Sequence, residues 1–510
     1  MNAIQRPRLN ERALARLHFV DGRCRVLVHD VESGDVIEIG PREWVLVSAA
    51  DGTRDMDGLV LAGAREGVHV PKDEVVALFT ALSGVGLLSS GLPERKAKRS
   101  PNSGDSLISG AQENTSHTGA SGRGGSSSTT EAGVHNQQKS APEDRKIQRI
   151  ANYSFHCNGH GSCCQLYATI VFSPLEAARA RATLPIILDG GERHEHVFMP
   201  ERGSGPCPGS AVALVNGKCA YLDGNLCAIH KAAGPDSKPL GCNLFPLLLV
   251  DDGTTVRASV AVECACVLES VNKPGGAPIL ADNVYARKDL DPAVIVDELP
   301  NEVEVRPGVR APLRDYLAWS DAAIKALESA PDAARFAWNL AGLVETFGLD
   351  PSLIAQAASD STPLDLWLAP ALVKALGRKA ARRAKAQNTW RSERDLCRRG
   401  VNVVAGAATL LNDDEVLAAV AYGAGAVAQD EHFYLHAAFF GHQLVGYPLV
   451  VSLRDRALAI WIARVFPLAA DSLYSGINEP AFAHPIALVE ALLRGHGLRL
   501  YTEEVVVPTR

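Results

Sequence analysis

The 510-residue chain has no apolar run long enough to cross a bilayer. Its longest, "LGCNLFPLLLV" and "VNVVAGAATLL", fall well short of the roughly 20 residues a spanning helix needs, so no membrane partner is expected. A surplus of basic charge is missing too. With 51 Lys and Arg against 58 Asp and Glu the net charge is −7. That excludes a general nucleic-acid binder, because neutralising phosphates takes a basic surface. The N-terminal "MNAIQRPRLNERALARLHF" is arginine-rich but has neither the apolar centre nor the cleavage site of a secretion signal. It reads as a frayed lead-in to the first domain, and the protein as cytoplasmic. No G-x-G-x-x-G follows a strand; "YGAGA" at 422–426 sits in an alanine-rich helical pattern and reads as close helix packing. No Ser–His–Asp or Cys–His arrangement stands out, and nothing singles out Asp315, Tyr316, Arg454 or Asp455 as substrate contacts.

What is present is an ordinary soluble composition, 46% hydrophobic and 21% charged, in a chain long enough for two to four domains. Its eleven cysteines are unevenly placed. Cys157, Cys163, Cys164, Cys207, Cys219, Cys227, Cys242, Cys264 and Cys266 fall between 157 and 266, whereas Cys24 and Cys397 stand alone and read as small core residues. In a reducing cytoplasm, clustered thiols point to metal rather than disulfides.

The predicted fold class is α+β: a small N-terminal domain over 1–94, a flexible linker over 95–145, a cysteine-rich metal-binding α/β region over 146–275, and a mostly helical region over 276–510. The linker is rich in Ser, Gly, Thr and Asn and nearly empty of large apolar side chains. It cannot bury enough surface to offset its ordering entropy. In the N-terminal part, "CRVLVHDV" and "DVIEIG" read as a hairpin, followed by helices at "MDGLVLAGAREG" and "VPKDEVVALFTALSGVGLL". With Trp44, the "DGTR" turn at 51–54 and the closing "ALSGVGLLS", this stretch resembles the PqqD-like winged helix that recognises leader peptides of ribosomally made peptides. The resemblance implies that an extended peptide or protein segment adds to a sheet edge. A small structural or dimerising domain is the competing reading.

The cysteine pattern begins at "FHCNGHGSCCQ", a C-x2-H-x2-C-C from Cys157 to Cys164 that includes His160. Next come "SPLEAARARA", with Ser173, Pro174 and Glu176 set as a helix start, the hairpin-like "KCAYLDGNLCAIH", "KPLGCNLFP", and "VECAC", whose two cysteines share a face if it is a strand. Thiolates converging from short loops suit zinc or iron–sulfur ligation, with glycines letting the loop wrap the ion. This arrangement resembles the YkgJ-type cysteine-cluster (C-x2-C-x2-C-C, zinc- or iron-chelating) family, with Cys157, Cys163, Cys164, Cys219, Cys227 and Cys242 on its cysteine positions and His160 where a second cysteine usually stands. The resemblance extends more loosely to flagellin lysine N-methylases, and so implies an iron–sulfur cluster, S-adenosylmethionine and modification of a peptide or protein lysine. Adjacent cysteines favour a multi-iron cluster. A closed zinc site in a non-catalytic adaptor, or cluster-dependent redox chemistry on a peptide, stays open, and nine thiols with His160 are enough for two sites.

Beyond 270 the apolar spacing is helical, as in "LRDYLAWSDAAIKALES", "PDAARFAWNLAGLVETFG", "PLDLWLAPALVKALGRKAARRAKA" and "LRDRALAIWIARVF". His432 and His436 lie four apart among Phe and Tyr, a pattern that reads as core. The basic run at 374–400 reads as a solvated helix face.

Overall fold

In "ALARLHFV" the apolar Ala13, Ala15, Leu17 and Phe19 alternate with Leu14, Arg16, His18 and Val20. Such alternation puts one set on each face of a strand. In the computed structural model this stretch is a strand, not the frayed lead-in expected of the arginine-rich N-terminus. The residues described are 6–10, 13–20, 23–30, 36–90, 141–161, 163–166, 171–183, 198–200, 210–212, 214–215, 218–359, 406, 410, 428–468 and 484–496. Residues 95–140 of the linker expected over 95–145, Cys207, Cys397, the basic run at 374–400 and "YGAGA" lie outside them, while Pro142–Asp144 of that linker form a short 3-10 turn.

After β1 (Pro7–Leu9), strand β2 (Ala13–Val20) pairs along its whole length with β3 (Arg23–Asp30), from Ala13↔Asp30 to Val20↔Arg23, and β3 pairs with β4 (Val36–Ile39). Three helices follow: α1 (Pro41–Ser48), α2 (Met56–Arg65) and α3 (Lys72–Gly84). The Asp55 carboxylate caps α2 by accepting from Gly58 N at 2.8 Å. β5 (Leu88–Ser90) returns to pair with β1. Trp44, Leu59, Val75, Phe79 and Leu82 pack with Val26 and Val28 into the core of this unit.

That core does not stop at residue 90. Past β6 (Ile147–Arg149), α4 (Cys163–Leu166), β7 (Val171–Phe172), α5 (Pro174–Thr183), β8 (Phe198–Pro200) and β9 (Ser210–Val212), the short strand β10 (Leu214–Val215) adds to the free side of β2. The pairing is parallel, Leu214↔His18 and Val215↔Phe19. β11 (Lys218–Cys219) then pairs with β10, giving a five-stranded sheet in the order β11-β10-β2-β3-β4. Phe172, Ala177, Val212, Cys219, Tyr221 and Ile229 share one hydrophobic cluster with the N-terminal helices.

The rest is built on a second sheet. β12 (Leu222–Asp223) and β13 (Leu226–Cys227) form the expected hairpin, and α6 (Ala228–Ala233) and α7 (Leu240–Leu244) lead to β14 (Leu247–Asp251) and β15 (Val256–Val260). After α8 (Ala265–Glu269), β16 (Asp297–Glu298) completes the order β16-β14-β15-β6. The hairpin β17 (Glu302–Arg306) and β18 (Val309–Pro312) opens the helical body of α9 (Leu313–Leu327), α10 (Ala333–Phe347), α11 (Ile354–Ser359), α12 (Ala428–Phe440), α13 (Leu449–Leu468) and α14 (Pro485–His496). The end of α12 docks on β15 so closely that a Cβ on Gly441 would lie 2.7 Å from the Ser259 side chain. Among the described residues no helix is long and apolar enough to cross a membrane.

Candidate metal centre

The loop carrying Cys157 to Cys164 turns on two left-handed glycines, Gly159 (φ 68°) and Gly161 (φ 69°). A Cβ on Gly161 would stand 2.9 Å from the backbone oxygen of Asn225, so the loop lies directly against the turn of the β12–β13 hairpin. An alanine there would suffer both the left-handed backbone penalty, about 1–2 kcal/mol, and a clash with main chain that cannot swing aside. Gly161→Ala is therefore expected to lower the urea midpoint and to loosen Cys163 and Cys164 from the hairpin, read as faster thiol labelling at those two positions.

Five thiols gather on this side: Cys163 and Cys164 at the start of α4, Cys219 on β11, Cys227 on β13 and Cys242 in α7. The Cys163 and Cys164 sulfurs are 4.0 Å apart. Their shared hydrogen bond holds the Cys163 thiol below its ordinary pKa and drives Cys164 up, with burial and the charges of Cys163, Cys219 and Cys242 adding to the rise. Burial pushes Cys219 up to about 12, with Cys227 and Cys163 contributing. Cys242 is raised by burial and then by Cys219, and Lys238 acts against that rise. Glu176 anchors α7 from a distance. The capping box expected at the start of α5 forms, with Ser173 N donating to Glu176 Oε2 at 2.7 Å and Glu176 N to Ser173 Oγ at 3.3 Å. The other Glu176 oxygen accepts from Leu240 N at 2.7 Å.

Cys264 and Cys266 lie with Cys157, which is also close enough to Cys163 and Lys238 to feel their charges. "VECAC" is not a strand: β15 ends at Val260, Cys264 N bonds back to Ala261 O at 3.1 Å, and Cys264 becomes the N-cap of α8 with Cys266 in its first turn. The apolar Ala265, Val267 and Leu268 are buried in the helical body, which favours a helical turn over a paired strand. The neighbouring Cys266 thiol, helped by burial, pushes the Cys157 thiol well above its ordinary pKa. Cys157 acts to lower Cys266, but Cys264 and burial outweigh it and leave Cys266 at about 11. Asn158 N also donates to the Cys266 sulfur at 3.4 Å. His160 lies on this side. Its Nε2 meets Glu269 Oε2 at 3.0 Å, and Asn158 Nδ2 donates to the same carboxylate oxygen. Tyr153 closes the floor, its hydroxyl donating to Val267 O at 3.1 Å.

All eight described cysteines of 157–266 are free. As placed, no three His, Cys, Asp or Glu side chains among the described residues could hold a metal ion. The donor chemistry nonetheless fits a thiophilic cation. Neighbouring thiols raise one another's pKa values, and a bound cation removes that mutual repulsion by favouring the thiolates. Lys238 and Glu269 were not foreseen. Their only sequence signal is proximity to "PLGC" and "VECAC".

The other residues considered take structural places. His432 Nε2 bonds Ala330 O at 2.8 Å, and His436 lies between Phe433 and Phe440. Tyr316, Arg454 and Asp455 are buried, while Asp315 is exposed. Comparison with protein-family models, curated proteins and solved structures finds no match for the chain.

Proposed function

We propose that the chain is a metal-cluster protein that modifies a peptide or protein substrate, most like a lysine N-methylase, with its N-terminal unit engaging that substrate. The observation that carries this reading is the gathering of eight free thiols from four separated stretches, around 157–164, 219–227, 242 and 264–266. Packing alone gives no reason for so many free thiols in so few elements. Cys163, Cys164, Cys219, Cys227 and Cys242 would hold an iron–sulfur cluster, which supplies electron-transfer or Lewis-acid chemistry when bound. Lys238 offsets part of the negative charge of the thiolates. S-adenosylmethionine would be the methyl donor.

Substrate capture would use the remaining sheet edge. β10 already covers β2, whereas β4 is the outer strand at the other end among the described residues. An extended segment hydrogen-bonding to β4 gains affinity from main chain and specificity from alternate side chains.

The test is anaerobic purification with metal and sulfide analysis, then incubation with isotopically labelled S-adenosylmethionine and a lysine-containing protein from the same cell. Iron with matching sulfide and label on lysine are expected. A colourless protein holding zinc without sulfide, and transferring no label, would overturn the reading in favour of a zinc-stabilised adaptor.

A further inference from the structure

We propose that His442 makes the joint between α12 and the second sheet acid-sensitive: the neutral imidazole fits the joint, and an imidazolium there releases the end of α12 from β15. The proposal is independent of the thiols and of what they bind.

The joint is closely built. Ser259 Oγ on β15 donates to Ala437 O at 3.1 Å, Gln443 Nε2 donates to Val260 O at 2.8 Å, and Ser320 Oγ on α9 donates to Phe439 O at 3.4 Å. His442 lies amid these bonds with φ 48°. That left-handed conformation is uncommon for any residue but glycine, so the contacts on either side hold His442 in place.

Its side chain is only 1% exposed, and neither ring nitrogen has a hydrogen-bond partner among the described residues. The facing carboxylate oxygen, Asp252 Oδ2, stands 3.8 Å from Nε2, beyond hydrogen-bond reach. That oxygen is already engaged, accepting from Thr255 Oγ1 and from Arg257 Nε at 3.0 Å each. Asp252 Oδ1 accepts from Thr254 N and Oγ1 and from Thr255 N. Arg257 Nη2 continues to Asp321 Oδ1 at 3.4 Å. From α9 the Tyr316 ring lies 5.6 Å from the imidazole, and its hydroxyl is unpartnered too.

The site therefore has a place for an apolar ring and none for a second cation. A protonated His442 would sit beside Arg257 and compete with it for an oxygen whose acceptor positions are filled. Burial holds His442 below its ordinary pKa; Asp252 acts against that fall and Arg257 adds to it. With the folded value below the unfolded one, the closed joint binds fewer protons than the open one. Its stability is full above about pH 6.5, the ordinary histidine value, and is lost as the pH falls below it. The charge is relieved when the end of α12 lifts and the ring meets water, which breaks the bonds to Ser259 and Val260.

The experiment is amide hydrogen exchange on the full-length protein at about pH 7.5 and about pH 5.5, corrected for the intrinsic pH dependence of exchange. Wild type is compared with His442→Asn and His442→Gly, neither of which titrates and both of which tolerate the left-handed backbone. Wild-type protection over 437–445 is expected to fall about tenfold at the lower pH, the ratio of charged to neutral imidazole in an open joint. Both variants should keep the protection they have at the higher pH. An unchanged wild type would overturn the proposal, and so would a variant that loses protection as the wild type does.

Discussion

Removing residues 1–90 is expected to unfold or loosen the cysteine-rich region, not merely to weaken substrate binding. The deletion strips β2 from β10 and so leaves β10 and β11 as an isolated pair of two-residue strands. It also uncovers Phe172, Tyr221 and Ile229, each at most 2% exposed and packed in the same cluster as Trp44 and Phe79. Re-exposing side chains of this size costs about 1.5–3 kcal/mol each, and a typical domain has only about 5–15 kcal/mol in total. The check is a thermal melt with hydrogen exchange on a 91–510 fragment. Protection at 219–229 should fall to that of a frayed segment. A fragment that melts with the full chain and protects those amides equally would show that the shared sheet contributes nothing.

The second large effect lies in the helical body. Arg464 on α13 reaches Glu431 through Nε at 2.7 Å and through Nη2 at 2.5 Å, and Asp332 through Nη1 at 2.9 Å. The Arg464 and Glu431 side chains are only 5% and 3% exposed. Arg464→Met should therefore cost about 3–5 kcal/mol, because it strands a buried carboxylate. Lysine will not rescue it, since an ammonium cannot reproduce the two-pronged contact. The double variant Arg464→Met with Glu431→Leu should recover most of the loss, as buried ion pairs often exchange for apolar packing at little net cost. Urea denaturation of the two variants decides it: a single variant within about 1 kcal/mol of wild type, the usual scale of an exposed pair, would mean the pair is effectively solvated.

Local signals in the sequence were legible and long-range ones were not. The capping box of Ser173 and Glu176, the Asp223–Gly224 turn before Cys227 and the helical stripes of α9, α10 and α13 all lie within a few residues of their causes. β2 was hidden because the arginines of the N-terminal stretch suggested a solvated lead-in, although the Asp21-Gly22 dipeptide after it is a hairpin signal. The β2–β10 pairing joins residues 196 positions apart, Leu214 with His18, and no local pattern encodes such a partner. "VECAC" was ambiguous for a related reason. A short apolar run fits a strand or a buried helical turn equally, and only the surrounding body decides. Cysteine spacing marked out the thiols of 157–266, but which hydrophobic core each one packs in could not be read from it.

The five-stranded sheet also works as a ruler. Its order places β4 and the Cys219 strand at opposite ends, and a peptide added beyond β4 would lie five strand spacings from β11. At about 4.8 Å each that is about 24 Å, the reach of roughly seven extended residues. Under the proposed function, a segment held on the β4 edge would therefore lie well away from Cys219. In that reading the residue presented would stand well along the substrate from the part that is recognised, and the spacing between recognition and modification would be a property of strand count.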